Sequence, residues 1–255
     1  MNKDTVRQIM VVVAVLATIA INALANVLPL NGLNTGEISD RFQVYFTPAG
    51  YVFSIWGLIY LGLIAFAVFQ ALPGQQANPA LRRIGPLFVL ASAANISWLF
   101  FWHYEVFILT LPAMLILLVS LIAIYLRLDI GKASISPAER WLVHAPFSLY
   151  LGWITVATIA NATSLLDYVQ WGGWGIAEAA WLVIVLAVAV LIAAAVAWTR
   201  RDVIYLLVLV WAFAGIAVKH SAVATVAPAA WAATALVAAL ALGSLLRPRH
   251  PSPAT

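Results

Sequence analysis

The sequence contains no cysteine and few charged residues. Charged residues make up 9% of the 255 positions, whereas soluble domains carry about a quarter. The lack of cysteine excludes disulfide bonds and thiolate metal sites. The low charge leaves too little polar surface to cover a water-soluble globule, and 65% of the residues are hydrophobic. We therefore expect an integral membrane protein.

Charge is also missing from the middle of the apolar stretches, where Asp, Glu and Arg do not occur. This pattern excludes a charged ion path at the membrane midplane and an ordinary acid–base pair within the spans. The four histidines show no metal-ligand spacing, so no metal site is expected. The formal charge of +4 arises from residues at helix ends. It indicates membrane orientation and not nucleic-acid binding.

About eight apolar segments have the length of roughly 20 residues that crosses a bilayer as a helix. Breakers such as Pro73-Gly74 and Gly172-Gly173 separate them, and the first segment is interpreted as an uncleaved span. The predicted fold is an all-α membrane protein with spans at Ile9–Leu28, Pro48–Ala71, Ile84–His103, Val106–Arg127, Glu139–Ser164, Ile176–Trp198, Asp202–Lys219 and Ala227–Leu246.

The distribution of lysine and arginine predicts the orientation of these spans. If the N-terminus is cytoplasmic, 11 of the 13 basic residues fall in cytoplasmic segments, and only Arg41 and Lys219 lie outside. Both termini are therefore expected in the cytoplasm, with the Asn31–Thr47 loop outside. Residues 248–255, which contain several prolines, are expected to form a disordered tail.

Aromatic and amide side chains recur at helical spacing on three of the spans. Phe53, Trp56 and Tyr60 form one stripe, and both Trp56 and Asn95 would lie roughly 12 Å below the outer surface. The other stripes are Ser92, Asn95, Trp98 and Trp102, and Tyr150, Trp153, Ala157, Asn161 and Ser164. Two interpretations stay open. The stripes either line an aromatic ligand pocket, or they are core packing in which each amide bonds a neighbouring helix.

Three motifs on these stripes resemble the TspO/MBR family, the tryptophan-rich sensory or translocator proteins. The run P-A-G-Y-V-F-S-I-W-G-L-I-Y at Pro48–Tyr60 resembles the family's proline-led entry and V-W-x-x-L-Y run. N-I-S-W-L-F-F at Asn95–Phe101 is similar to its L-N-x-x-W-x-x-F-F segment. Residues Tyr150–Asn161 resemble P-Y-x-x-W-x-x-x-A-x-x-x-N, although the proline stands at Pro146. Together these matches indicate a family member.

The resemblance implies a five-helix bundle over residues 1–168, followed by a three-helix extension at 169–247 without a counterpart in the family. It also implies a pocket for porphyrins, with Trp56 and Trp153 stacking on the macrocycle and Asn95 donating to a carbonyl or carboxylate of the ligand. No sterol-binding pattern follows Tyr168, which argues against a sterol ligand. The predicted ligand-binding residues are Phe53, Trp56, Tyr60, Asn95, Trp98, Tyr150, Trp153, Ala157 and Asn161.

Three functional classes remain open at this stage. The first is a membrane receptor or carrier for porphyrin-like or other hydrophobic aromatic ligands, with protoporphyrin or a related tetrapyrrole as the implied ligand and no resident cofactor. The second is a secondary transporter of a small hydrophobic or neutral solute. The third is an enzyme that acts on a tetrapyrrole or lipid; the resemblance implies light-dependent porphyrin breakdown, as reported for some bacterial members, but the lack of an acid–base pair in the spans argues against an enzyme with ordinary hydrolytic chemistry. Expected partners are membrane lipid, such a ligand and no nucleic acid, in a bacterial inner membrane. Small residues in the last helices also permit a homodimer.

Overall fold

The computed structural model describes residues 2–28 and 30–246, and within them every regular element is helical. The predicted disordered tail at 248–255 lies outside the described residues. A 3-10 stretch, Gly50–Ser54, leads into the third α-helix, and a π-helical turn, Arg140–His144, joins the sixth to the seventh. The α-helices are α1 (Lys3–Val27), α2 (Thr35–Ser39), α3 (Ile55–Ala71), α4 (Pro79–His103), α5 (Phe107–Arg127), α6 (Pro137–Glu139), α7 (Ala145–Tyr168), α8 (Glu178–Thr199), α9 (Val203–Lys219) and α10 (Val226–Leu246).

The described residues contain seven helices that are long and apolar enough to cross a membrane. Two of them combine several elements: Gly50–Ala71 includes α3, and Pro137–Tyr168 includes α6 and α7. The eighth long helix, α9, is apolar but has only 17 residues. The predicted all-α membrane fold is confirmed.

Local sequence fixes where several of these helices begin. The Asn78 side chain accepts from the backbone N–H of Ala80 at 2.9 Å, and Pro79 occupies the first helical position. Ser136 and Pro137 repeat this arrangement at the start of α6. An N-cap side chain satisfies a free backbone donor, and proline lacks the donor that would otherwise be unpaired. These polar residues therefore set the boundaries between apolar segments.

The eight long helices alternate in direction along the chain. We call the end of the bundle that holds residues 30–49 the loop end, and the opposite one the terminal end. At the terminal end, Arg82 at the start of α4 donates to Asp4 at the start of α1, with an Nε–Oδ1 distance of 2.7 Å. At the loop end, Lys219 in the last turn of α9 donates to Asp40 at 2.7 Å. The first described helix therefore begins, and the last ends, at the terminal end.

Helix α9 packs into the bundle against α7, α10 and the 3-10 stretch before α3. The backbone N–H of Ala49 donates to the carbonyl of Gly215 at 3.1 Å, and the indole of Trp211 donates to the carbonyl of Val52 at 3.1 Å. Contacts therefore cross the predicted boundary at residue 168. Whether residues 1–168 fold without the last three helices stays a prediction.

Candidate ligand-binding site

Two adjoining cavities lie near the loop end of the bundle. The small cavity, of about 60 Å³, lies among α3, α4, α5 and α7. The large cavity, of about 490 Å³, lies among α1, α3, α4 and the α2 segment. Four residues line both cavities, so that they form a common wall: Thr35, Phe53, Trp56 and Trp98.

The structure brings most of the predicted site residues together around these cavities. Tyr60 lines only the large cavity, whereas Asn95, Trp153, Ala157 and Asn161 line only the small one. Phe53, Trp56 and Trp98 belong to the common wall. Tyr150 lines neither cavity: it is buried behind Trp56, with ring centroids 6.0 Å apart. Ligand binding by these residues stays a prediction.

Aromatic contacts hold the walls in fixed orientations. Trp153 is 2% exposed and packs edge-to-face against both Trp56 and Phe53, at centroid distances of 6.3 and 5.7 Å. Trp56 stacks on Tyr60 at 5.6 Å, one helical turn further along α3. Edge-to-face and offset-stacked pairs are the favourable arrangements of aromatic rings. The indole of Trp56 is therefore oriented from two sides before any ligand arrives.

The two predicted amides bond neighbouring helices and also line the small cavity. Asn95 Oδ1 accepts from Asn22 Nδ2 at 2.8 Å, and Asn161 Nδ2 donates to Thr110 Oγ1 at 2.9 Å. These bonds are those that the packing interpretation expects between membrane helices. Asn161 Oδ1 nevertheless has no hydrogen-bond partner among the described residues. Asn161 can therefore bond α5 through its Nδ2 group and still accept a hydrogen bond from a ligand through Oδ1.

Two indole N–H groups beside the small cavity are also unpaired. Trp98 Nε1 and Trp153 Nε1 are buried without a partner in the described part of the chain. An unpaired buried donor costs about 1 to 3 kcal/mol. A ligand or water in the cavity that accepted these hydrogen bonds would remove that cost.

The segment between α1 and α3 covers the site and is tied to the end of α4. Thr35 makes two of these contacts: its hydroxyl lies 3.1 Å from His103 Nε2, and its carbonyl accepts from Trp102 Nε1 at 3.2 Å. Further along, Arg41 forms a two-contact ion pair with Glu105, at 2.6 and 3.2 Å. The Arg41 hydrogen bond lowers the pKa of the Glu105 carboxyl. These side-chain contacts therefore hold the segment between α1 and α3 over the two cavities.

Several lining residues were missed because they lie outside the three motifs. Thr35, Ser39 and Thr47 come from the covering segment, and Met114 comes from α5. Small hydroxyl residues in a loop and a methionine among apolar neighbours carry no periodic signal. Asn22, the partner of Asn95, and Asn26 line the large cavity, and the sequence signals both as polar residues within the first apolar segment.

Comparison with known families decides the affiliation of the chain. The model of a family described as TSPO-like protein matches residues 8–244. The chain belongs to the TSPO-like family. The match extends across the predicted boundary at residue 168 and includes α8, α9 and most of α10. Comparison with curated proteins and with solved structures gave no match. Membership in the TSPO-like family indicates, in general terms, ligand binding or transport in a membrane.

Proposed function

We propose that this TSPO-like protein is a membrane receptor or carrier that binds porphyrin-like or other flat aromatic ligands at the loop end. The observation that carries the proposal is the common wall: Trp56 and Trp98 face both cavities. Indole faces stack favourably on flat aromatic ligands, and burial of the ligand adds to this stabilisation. A ligand seated in either cavity would thus contact the tryptophans of the family motifs.

The cavity volumes favour one of the two cavities for a macrocycle. Ligand sites usually have about 300 to 1,000 Å³. The large cavity, at about 490 Å³, is in that range, whereas the small one, at about 60 Å³, holds only water or one substituent. We therefore place the body of the ligand in the large cavity, against Trp56, Tyr60 and Trp98.

The charges of the large cavity restrict the orientation of the ligand. Glu37 and Asp40 line it, and none of its described lining residues is basic. Lys219 pairs with Asp40, whereas Glu37 forms no ion pair with a basic side chain among the described residues. A ligand that carries carboxylates should therefore direct them into water. Its neutral ester should bind at least as tightly as the free acid, because like charges repel.

Titration of the purified protein with protoporphyrin, followed by quenching of tryptophan fluorescence, tests this proposal. Trp56→Ala should weaken binding by roughly tenfold, since loss of about 1.4 kcal/mol is a factor of ten. Trp153→Ala should also weaken it, because Trp153 orients Trp56. Trp198→Ala is the control, because Trp198 is 74% exposed near the end of α8. Wild-type affinity of the Trp56→Ala variant would contradict the proposal.

We also propose that the loop end faces the outside of a bacterial inner membrane and that both termini are cytoplasmic. Of the described basic residues, only Arg41 and Lys219 lie at the loop end, and basic residues concentrate in cytoplasmic segments. Reporter fusions at residue 255 and within residues 31–47 test this orientation. A C-terminal reporter that is active only outside the cell would refute it.

A further inference from the structure

A third cavity, of about 370 Å³, lies between α7 and α8 at the loop end. Residues 43–46 form one side of it, the last turns of α7 a second and the first turns of α8 a third. It shares no described lining residue with the small or the large cavity. We call it the α7–α8 cavity.

The turn between the two helices explains why this space exists. Gly173, Trp174 and Gly175 all have positive φ angles, of 60°, 53° and 76°. The Trp181 indole donates to the carbonyl of Gly173 at 2.9 Å, which fixes this turn against α8. From there α8 packs mainly on α10, with fewer contacts to α9. Because α8 has few contacts with α7, space remains between the two helices at the loop end.

The lining of the α7–α8 cavity has one sign of charge. Asp167 and Glu178 line it, and no basic residue does so within the described chain. The Asp167 carboxylate accepts from the backbone N–H of Gln43 at 3.4 Å, which is a weak contact. Among the described residues, the lysine at the loop end is Lys219, and it bonds Asp40 instead. The cavity therefore has uncompensated negative charge.

Aromatic and aliphatic side chains accompany the two carboxylates. The Trp171 and Trp181 rings lie 5.2 Å apart and are inclined by 53°. Leu182 and Val185 continue the α8 side of the lining. Indole faces attract cations, and the attraction grows when the cation is removed from water. Aliphatic groups suit the apolar part of the same ligand.

We propose that the α7–α8 cavity is a second ligand site, which binds an amphipathic organic cation. The cationic group lies near Asp167, Glu178 and the two indoles, and the apolar body lies against Leu182 and Val185. The volume is in the range of ordinary ligand sites. This inference does not depend on porphyrin binding, because the two proposed sites have separate linings.

The acidic and aromatic residues of the α7–α8 cavity can each be explained by a structural role, without a ligand. Glu178 in the first turn of α8 interacts favourably with the helix dipole, and tryptophans are enriched at membrane interfaces. These roles do not require a cavity that is lined by two acidic residues and no basic one. The test must therefore measure the charge preference of binding and its dependence on the two carboxylates.

Tetraphenylphosphonium and tetraphenylborate are suitable probes, because they have nearly the same shape and opposite charge. Their binding to the full chain in a neutral detergent can be measured by equilibrium dialysis, with protein-free micelles as the blank. We expect saturable binding of the cation, at least about tenfold tighter than that of the anion. Equal binding of the two ions would overturn the proposal.

Variants then locate the bound cation. The double variant Asp167→Asn, Glu178→Gln should weaken cation binding at least about tenfold. Glu139→Gln, which removes a partly exposed carboxylate at the terminal end, should not. Ala177→Phe retains both carboxylates but adds a ring to the lining, and it should also weaken binding. Unchanged cation affinity in both cavity variants, or its loss in Trp56→Ala alone, would refute the α7–α8 site.

Discussion

Gly215→Ala would test whether α9 positions the segment that leads into the ligand site. A Cβ atom at residue 215 would lie 2.2 Å from Val52 Cγ2 and 3.2 Å from Pro48 Cβ. Val52 is fully buried, and Pro48 lines the small cavity. The Ala49 N–H also donates to the Gly215 carbonyl. The added methyl group must therefore displace either α9 or the 48–52 segment.

Two effects of opposite sign set the magnitude. Overpacking of a well-packed core costs about 1 to 3 kcal/mol. Replacing glycine by alanine inside a helix stabilises that helix by up to about 1 kcal/mol. Because 2.2 Å is far below a normal carbon–carbon contact, we expect overpacking to prevail, with a net loss of about 1 to 2 kcal/mol. For a chain of this size, that corresponds to a fall in Tm of about 2 to 8 °C.

Thermal melting of the detergent-solubilised protein and porphyrin titration are the two assays. Gly243→Ala in α10 is the matched control, because a Cβ atom there has no neighbour within 4 Å. We expect its Tm to stay level or rise. Gly215→Ala should lower the Tm and also change porphyrin affinity, since residues 48–53 contribute to both cavities. Equal melting and equal binding of the two variants would refute the role of α9.

Two further predictions concern the polar contacts at the loop end. Glu105→Gln should lower stability by less than about 1 kcal/mol, because its ion pair with Arg41 is half exposed. The pKa of Glu105 is lowered in the folded protein, so the ion pair stabilises the fold at neutral pH and this stabilisation is lost as the pH falls below about 4. Thermal melting of the wild type and the variant at pH 7 and at pH 3 would show the difference. Burial lowers the pKa of His220, which packs against Tyr45. As the pH falls, this imidazole is therefore protonated in the unfolded chain before it is protonated in the folded protein. The Tm should fall between pH 7.5 and 5.5 for this reason. His220→Gln should reduce this fall in Tm. If the Tm of the variant depended on pH as that of the wild type does, His220 would not be the group responsible.

The sequence was sufficient for the elements that depend on local composition. Apolar length predicted the membrane helices, and breakers separated them. Two helices begin earlier than predicted: α1 begins at Lys3 and not at Ile9, and α4 begins at Pro79 and not at Ile84, because the Asn2 and Asn78 side chains cap polar first turns. Helical periodicity placed Trp56, Asn95 and Trp153 on single faces of three helices. The motif resemblance then predicted the family, which the match over residues 8–244 confirmed.

Only the tertiary structure shows which residues of these helix faces line a cavity. Tyr150 shares a stripe with Trp153, yet it is buried behind Trp56 and lines neither cavity of the proposed porphyrin site. Asn95 has its partner on α1, 73 residues away in the chain. In a membrane, the faces toward lipid and toward the protein interior are both apolar, so composition does not fix how each helix is rotated. The close approach of Gly215 to Val52 and the packing of α8 on α10 depend on contacts between segments that are distant in the chain, which no local pattern encodes.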